Sequence, residues 1–171
     1  KIFTEEIEHI FKKEWLWIGR SDQLRNRGDF ITADVINLPI IVMRDNNKQL
    51  RGFHNVCRHR AAKVLLRSSG NCKHIVCPYH GWRYNLKGEL SNPSKFFGPD
   101  DFDHKIHSLF PIHVQEKFGL IFINLNKQPK FLDEWLGPFE QVINNHYESD
   151  FIFHNELKFD VHANWKTYVD N

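Results

Sequence analysis

The sequence predicts a mainly β domain with flanking helices, an α+β arrangement whose body is an antiparallel sandwich or barrel. Three observations lead there. Between residues 15 and 125 the chain is cut into short runs, apolar-rich or alternating, of strand length. Polar or glycine-bearing turn signals stand between several of those runs. Apolar residues at helical spacing occur only towards the two ends.

The first element is a leading helix of about ten residues, with Thr4 as a candidate N-cap and Ile7, Ile10 and Phe11 at helical spacing before Trp15. Strands are expected at 15–19, 30–36, 40–44 and 49–55, and Asp45-Asn46-Asn47-Lys48 reads as a hairpin turn between the last two. Further strands fall at 73–77 and 82–86, followed by the glycine turn Leu86-Lys87-Gly88-Glu89 of another hairpin. Residues 93–107 carry proline, glycine and charges without a period and read as a long loop. Strands at 112–116 and 120–125 flank a turn at Lys117-Phe118-Gly119.

Beyond residue 130, Leu132, Trp135, Leu136, Phe139, Val142 and Ile143 recur at helical spacing, interrupted by Gly137-Pro138. One kinked helix or two short ones satisfy that pattern. Residues 151–162 read as a strand and 164–171 as the start of a helix.

Composition narrows the function classes. A chain of 171 residues can bury a full core. Its 23 basic and 21 acidic residues give a net charge of +2 with no basic block, which argues against nucleic acid and against an anionic membrane surface. No apolar run is long enough to span a bilayer, and no signal-peptide pattern is present. The chain begins at Lys1 rather than Met, which fits a trimmed terminus or a segment of a longer product.

The chemistry concentrates in four residues, Cys57, His59, Cys77 and His80, placed as C-x-H and C-x-x-H on two short loops. Two thiolates and two imidazoles suit either zinc or an iron-sulfur group, so donor count alone leaves both open. The other histidines among the eleven lack ligand spacing and read as surface or core residues. Cys72 has no cysteine left to pair with if Cys57 and Cys77 bind metal, and reads as a thiol at a strand or loop edge. The absence of any spare cysteine pair points to a reducing compartment, the cytoplasm.

The flanks of the two loops read Phe53-His54-Asn55-Val56-Cys57-Arg58-His59-Arg60 and Cys77-Pro78-Tyr79-His80-Gly81-Trp82-Arg83-Tyr84. In this context the motif resembles the Rieske domain of the ring-hydroxylating, non-haem iron oxygenase alpha subunits. The resemblance implies a Rieske-type antiparallel sandwich or barrel that binds a 2Fe-2S cluster at the tips of two hairpin loops, within about residues 50–95. It further implies that Cys57 and Cys77 hold a buried iron, and that His59 and His80 hold the outer one and present their free ring nitrogens outward. Two ferric ions, two sulfides and two thiolates sum to zero charge, which raises the potential to about −150 to +300 mV, against about −400 mV for all-thiolate ferredoxins. Ala62 and Tyr79 stand where the respiratory branch of Rieske proteins carries two further cysteines, and Ala61 stands where the family commonly has glycine.

The tail strengthens the resemblance. Asn164-Trp165-Lys166 followed by Asp170-Asn171 is similar to the N-W-K-x-x-x-(D/E)-N motif that opens the catalytic domain of these subunits. Residues 1–148 then form the Rieske domain with its leading helix, and 149–171 begin a truncated catalytic domain. Asn171 matches the family's iron-proximal asparagine, while the two histidines and the aspartate that hold the family's mononuclear Fe(II) would lie beyond it.

What this implies is an electron-transfer domain of a terminal oxygenase. It would accept electrons from a ferredoxin or a flavin-dependent reductase and pass them, through His80, across the interface of a head-to-tail homotrimer to a mononuclear iron that performs O2-dependent hydroxylation or demethylation. The alternatives are a stand-alone Rieske ferredoxin, which lacks such a leading helix and tail, and a structural zinc module. The first ligand loop together with Ser94-Lys95-Phe96 leans towards choline-monooxygenase-like members; aromatic acids remain open as substrates, as do monooxygenase and dioxygenase outcomes. Trp82 reads as packing over the cluster loop or as part of a subunit interface. Arg58 and Arg60 read as solvated charges or as steering groups for an acidic ferredoxin.

Overall fold

The computed structural model describes residues 2–93, 102–146 and 151–170. Ser94-Lys95-Phe96 and Asn171 lie outside these described residues. Among the described residues ten strands form two antiparallel sheets: β1 (Leu16–Arg20), β2 (Asp29–Val35), β3 (Leu38–Arg44), β4 (Leu50–His54), β5 (Ser69–Asn71), β6 (Ile75–Val76), β7 (Trp82–Tyr84), β8 (Leu90–Pro93), β9 (Pro111–Lys117) and β10 (Leu120–Asn124). The larger sheet runs β1-β10-β9-β4-β3-β2-β5 and the smaller one β6-β7-β8. The larger sheet curls into a half-barrel, and β1 at one edge comes back over β2 near the other: a Cβ added to Gly19 on β1 would lie 2.8 Å from the Ile31 side chain on β2.

The sequence of β3 shows why the fold has two cores. Leu38-Pro39-Ile40-Ile41-Val42-Met43 is a continuous apolar run rather than an alternating one, as expected of a strand covered on both faces. Ile40 and Val42 join Leu24, Ile31, Ile112, Ile121 and Ile123 inside the curl. Ile41 and Met43 point the other way and join Phe53, Tyr84, Leu86, Trp82, Cys57 and Cys77. The side of β3 that faces away from the curl is therefore the floor on which the two thiols rest.

Strands β4 and β9 are neighbours, with Gly52 opposite Ile112 and Phe53 opposite Pro111. Between them the chain makes one long excursion that carries both ligand loops, the small sheet and the edge strand β5. The excursion forms a lobe on the half-barrel.

The leading helix runs as α1 (Ile2–Glu6) and widens into a π turn over Ile7–Phe11. It starts before Thr4, so Thr4 lies within the first turn and is not the N-cap. The C-terminal helical region is two helices, α2 (Leu132–Leu136) and α3 (Phe139–His146), broken at Gly137, whose φ of 49° ends the first. Helix α2 packs Leu132 and Leu136 on Trp15 and Phe122.

The last element, α4 (Trp165–Val169), is capped by Asn164, whose side chain accepts from the Lys166 amide at 3.0 Å. It docks on the first helix. Glu6 accepts a hydrogen bond from Trp165 Nε1 (3.0 Å) and pairs with Lys166, while the Phe11 and Trp165 rings meet edge-on at 5.2 Å.

The strand expected at 151–162 is not formed: this stretch makes no ladder. Its start is held by side chains of the β1 region, with Arg20 donating to the Phe151 carbonyl and the Phe153 amide donating to Asp22. Leu157, Phe159 and Val161, the alternating residues that suggested a strand, are all exposed.

Candidate metal centre

The first ligand loop starts where β4 ends. Asn55, fully buried, clamps it: its side-chain oxygen accepts from the Val64 and Leu65 amides (3.1 and 2.8 Å) and its amide group donates to the Leu65 carbonyl (2.8 Å). Inside that clamp the loop closes on itself. The Cys57 amide donates to the Ala62 carbonyl (2.8 Å) and the Ala61 amide donates to the Cys57 carbonyl (3.0 Å).

The second loop repeats the same closure. The Cys77 amide donates to the Trp82 carbonyl (2.8 Å) and the Gly81 amide donates to the Cys77 carbonyl (3.0 Å). In each loop the residue four positions after the cysteine takes a left-handed backbone, φ 57° at Ala61 and 71° at Gly81. One backbone device thus serves both loops, and only the histidine position differs.

The four side chains separate into two pairs. Cys57 and Cys77 are each 3% exposed and face one another across the floor of the lobe, close enough to hydrogen-bond. His59 and His80 lie at the surface with ring centroids 4.7 Å apart and planes at 69°. A mononuclear tetrahedral site needs four donors around one ion. Two sulfurs below and two imidazoles above suit a group with two metal positions instead.

The sulfurs sit among hydrogen-bond donors. The Tyr84 hydroxyl lies 3.3 Å from Cys57 Sγ and accepts from the Arg58 amide at 3.0 Å, so its single proton is left for the sulfur. The His59 amide also donates to Cys57 Sγ. Burial pushes the Cys57 thiol up, and proximity to Cys77 adds to this, while the Tyr84 and His59 donors work in the opposite direction without overcoming it. A nearby cation is what such a thiol requires to lose its proton. Burial, and then the bond to Cys57, raise the Tyr84 phenol far above its ordinary range, which keeps it a donor. At His59, partial desolvation followed by His80 and Arg60 lowers the imidazole, favouring the neutral form that binds metal.

The rings around the imidazoles differ. Trp82, buried, stacks on His59, whereas the Tyr79 ring, exposed, packs against His80 with centroids 3.8 Å apart. Arg58 is not a free surface charge: its guanidinium lies 3.6 Å over the Phe110 ring and donates to the Ile106 carbonyl. Arg60 is exposed. Cys72 is half-buried outside the centre, and its thiol is raised by burial.

Residues 14–95 match the model of the Rieske [2Fe-2S] domain. The matched segment is a Rieske domain. Over 99% of its length it is 34% identical to the chloroplastic choline monooxygenase of Beta vulgaris, of which it covers 39%. The structure of a quaternary ammonium Rieske monooxygenase concerned with carnitine oxidation superposes with a TM-score of 0.78 and 33% identity, covering 83% of this chain and 39% of that one. Naphthalene 1,2-dioxygenase superposes with a TM-score of 0.80 and 28% identity, covering 86% and 34%. The chain spans about two fifths of the length of the curated relatives it matches. No helix among the described residues is long and apolar enough to cross a membrane.

Two residues beside the four candidate ligands had no role assigned from sequence. Tyr84 is the hydrogen-bond partner of a sulfur, and Asn55 is the clamp of the first loop. The alternation Trp82-Arg83-Tyr84, buried, exposed, buried, points both rings at the lobe floor and is the signal that could have found Tyr84.

Proposed function

We propose that Cys57, His59, Cys77 and His80 hold the 2Fe-2S cluster of this Rieske domain, and that the domain is the electron-transfer part of a terminal oxygenase subunit. The observation that carries the reading is the pairing of two buried thiols with two exposed imidazoles on twin loops inside the segment that matches the Rieske domain. When bound, the cluster supplies reversible one-electron chemistry. The chain's own residues do the rest. Cys57 and Cys77 keep the sulfur side away from water, Tyr84 and the His59 amide donate to Cys57, and His59 and His80 keep their ring edges at the surface, where electrons and protons exchange with a partner.

A ferredoxin or a flavin-dependent reductase would supply the electron, and His80 would be the residue that passes it on, across the interface of a homotrimer, towards a mononuclear non-haem iron held in a separate catalytic domain. Residues 1–148 constitute the Rieske part and 149–171 lead into that second domain. The exposed apolar residues of 151–162 support this division, because an alternating face left in water asks for a covering layer. Quaternary ammonium compounds are the favoured substrates, in line with the choline and carnitine relatives. An aromatic substrate is the second reading, since naphthalene 1,2-dioxygenase shares the fold equally well and fold does not decide substrate. With Cys57 and Cys77 committed to the cluster, Cys72 has no cysteine left to pair with, which favours a reducing compartment such as the cytoplasm.

The test is electron paramagnetic resonance on dithionite-reduced protein, with iron and acid-labile sulfide content. A rhombic signal of low average g with about two irons and two sulfides per chain is expected. A silent sample holding one zinc would overturn the reading. Cys57→Ala and Cys77→Ala should abolish the signal.

A further inference from the structure

Trp82 belongs to the second ligand loop, yet its side chain lies on the ligand of the first. The indole is parallel to the His59 imidazole, with 9° between the planes and 4.9 Å between centroids. Its carbonyl meanwhile accepts the Cys77 amide that closes the second loop. The residue is 5% exposed, and the Phe102 and His107 rings meet it edge-on at 6.1 and 5.8 Å while stacking on each other at 4.3 Å. His80, by contrast, is packed by Tyr79, which is 61% exposed.

We propose that Trp82 is a positioning residue for His59: it fixes the plane of that imidazole, and with it the direction of the ring edge that faces solvent. This rests on the assignment of His59 and His80 as cluster ligands. A core aromatic can fill a lobe in any orientation that packs. A parallel face against a ligand imidazole does something narrower, because rotation of the imidazole about its bond to metal drives it into the indole, and the indole is itself blocked by two rings at its edge. His59 is therefore held from inside the fold and His80 from an exposed position, so the two imidazoles are inequivalent before any partner arrives.

The experiment uses the cluster-loaded protein, reduced with dithionite, and pulsed electron paramagnetic resonance to read the two histidine nitrogen couplings alongside the g values. Trp82→Phe, which keeps a flat ring, is expected to retain both couplings. Trp82→Leu is expected to shift or split one coupling and leave the other in place. Trp82→Leu with both couplings and all g values at wild-type positions would overturn the proposal. Should that variant fail to hold a cluster, Phe102→Ala is read instead, since it keeps the indole and removes one ring at its edge. Broadening of the same single coupling supports the proposal, and an unchanged coupling overturns it. A wild-type sample without a rhombic signal overturns the ligand assignment itself, whatever the variants show.

Discussion

Tyr84 points its hydroxyl at the sulfur of Cys57 from 3.3 Å while its oxygen is occupied by the Arg58 amide. A donor to a ligand sulfur stabilises the more electron-rich, reduced state of an iron-sulfur centre. Tyr84→Phe should therefore lower the reduction potential, by roughly 59 mV for each 1.4 kcal/mol of lost preference at one electron. A redox titration followed by circular dichroism measures it. A potential equal to wild type would mean that the hydroxyl serves only the Arg58 amide.

Ala61 and Gly81 occupy equivalent places in the twin loops, both left-handed, but only one is glycine. An L-residue there costs about 1–2 kcal/mol, and glycine's extra freedom in the unfolded chain returns about 0.5–1 kcal/mol of that. Ala61→Gly should raise the melting temperature by about 2–4 °C, whereas Gly81→Ala should lower it. Thermal melts of both variants decide the sign.

Asn55 satisfies three backbone groups of the first loop in a place that water does not reach. Truncation to Ala leaves two amides and a carbonyl unpaired at about 1–3 kcal/mol each, less any relaxation. We expect Asn55→Ala to lose at least about 2 kcal/mol in urea unfolding and to copurify with less iron. Asn55→Asp, which keeps the acceptor and loses the donor, should fall between.

Asp45 caps the β3–β4 turn from a fully buried position, accepting from Asn47, Gln49 and Arg51. Burial alone would raise its carboxyl; the Arg51 guanidinium and the two amides outweigh burial and hold it below the ordinary range. Its folded value is thus lower than its unfolded one, so the stabilisation is complete above about pH 3.9 and drains away as pH falls through the folded value. Removal of the guanidinium in Arg51→Met should move the acid limb of a melting-temperature profile to higher pH. An unmoved limb would sink this account.

Glu6 ties the first helix to α4 through Trp165 and Lys166. A five-residue helix does not persist in water unaided. Hydrogen exchange at residues 165–169 should therefore accelerate in Glu6→Ala while exchange in β3 and β10 stays as it was. Uniform acceleration across the chain would instead indicate global destabilisation.

Much of this architecture is written locally. The strands β1, β2, β3, β4, β9 and β10 fall within a few residues of where apolar runs and turn chemistry put them, because each is long enough to carry its own signal. The quartet proposed as ligands was equally plain to pick out, since C-x-H and C-x-x-H stand in flanks that resemble one family's motif. What escaped depended on partners. Edge strand β5, Ser69-Gly70-Asn71, has no apolar residue and is held by its backbone ladder with β2 and by the Asn71 side chain, which donates to the Arg27 carbonyl and to Asp29. The β2–β3 turn puts Ile36 and Asn37 at positive φ, a place for which Ile has no propensity, so the register of the paired strands overrides it. At 151–162 the failure ran the other way: alternation is a property of one segment, a strand a property of two. Tyr84 and Trp82 act on residues of the other loop, contacts that no local pattern encodes.

The neighbouring ends of β4 and β9 have one more consequence. Because Phe53 and Pro111 are already ladder partners, everything between them could be exchanged for a tight turn and the half-barrel would forfeit a single three-residue edge strand. The redox apparatus is in this sense a cartridge. A gene could gain, lose or trade the cluster-bearing lobe in one continuous stretch, and the scaffold left behind would keep its strand order.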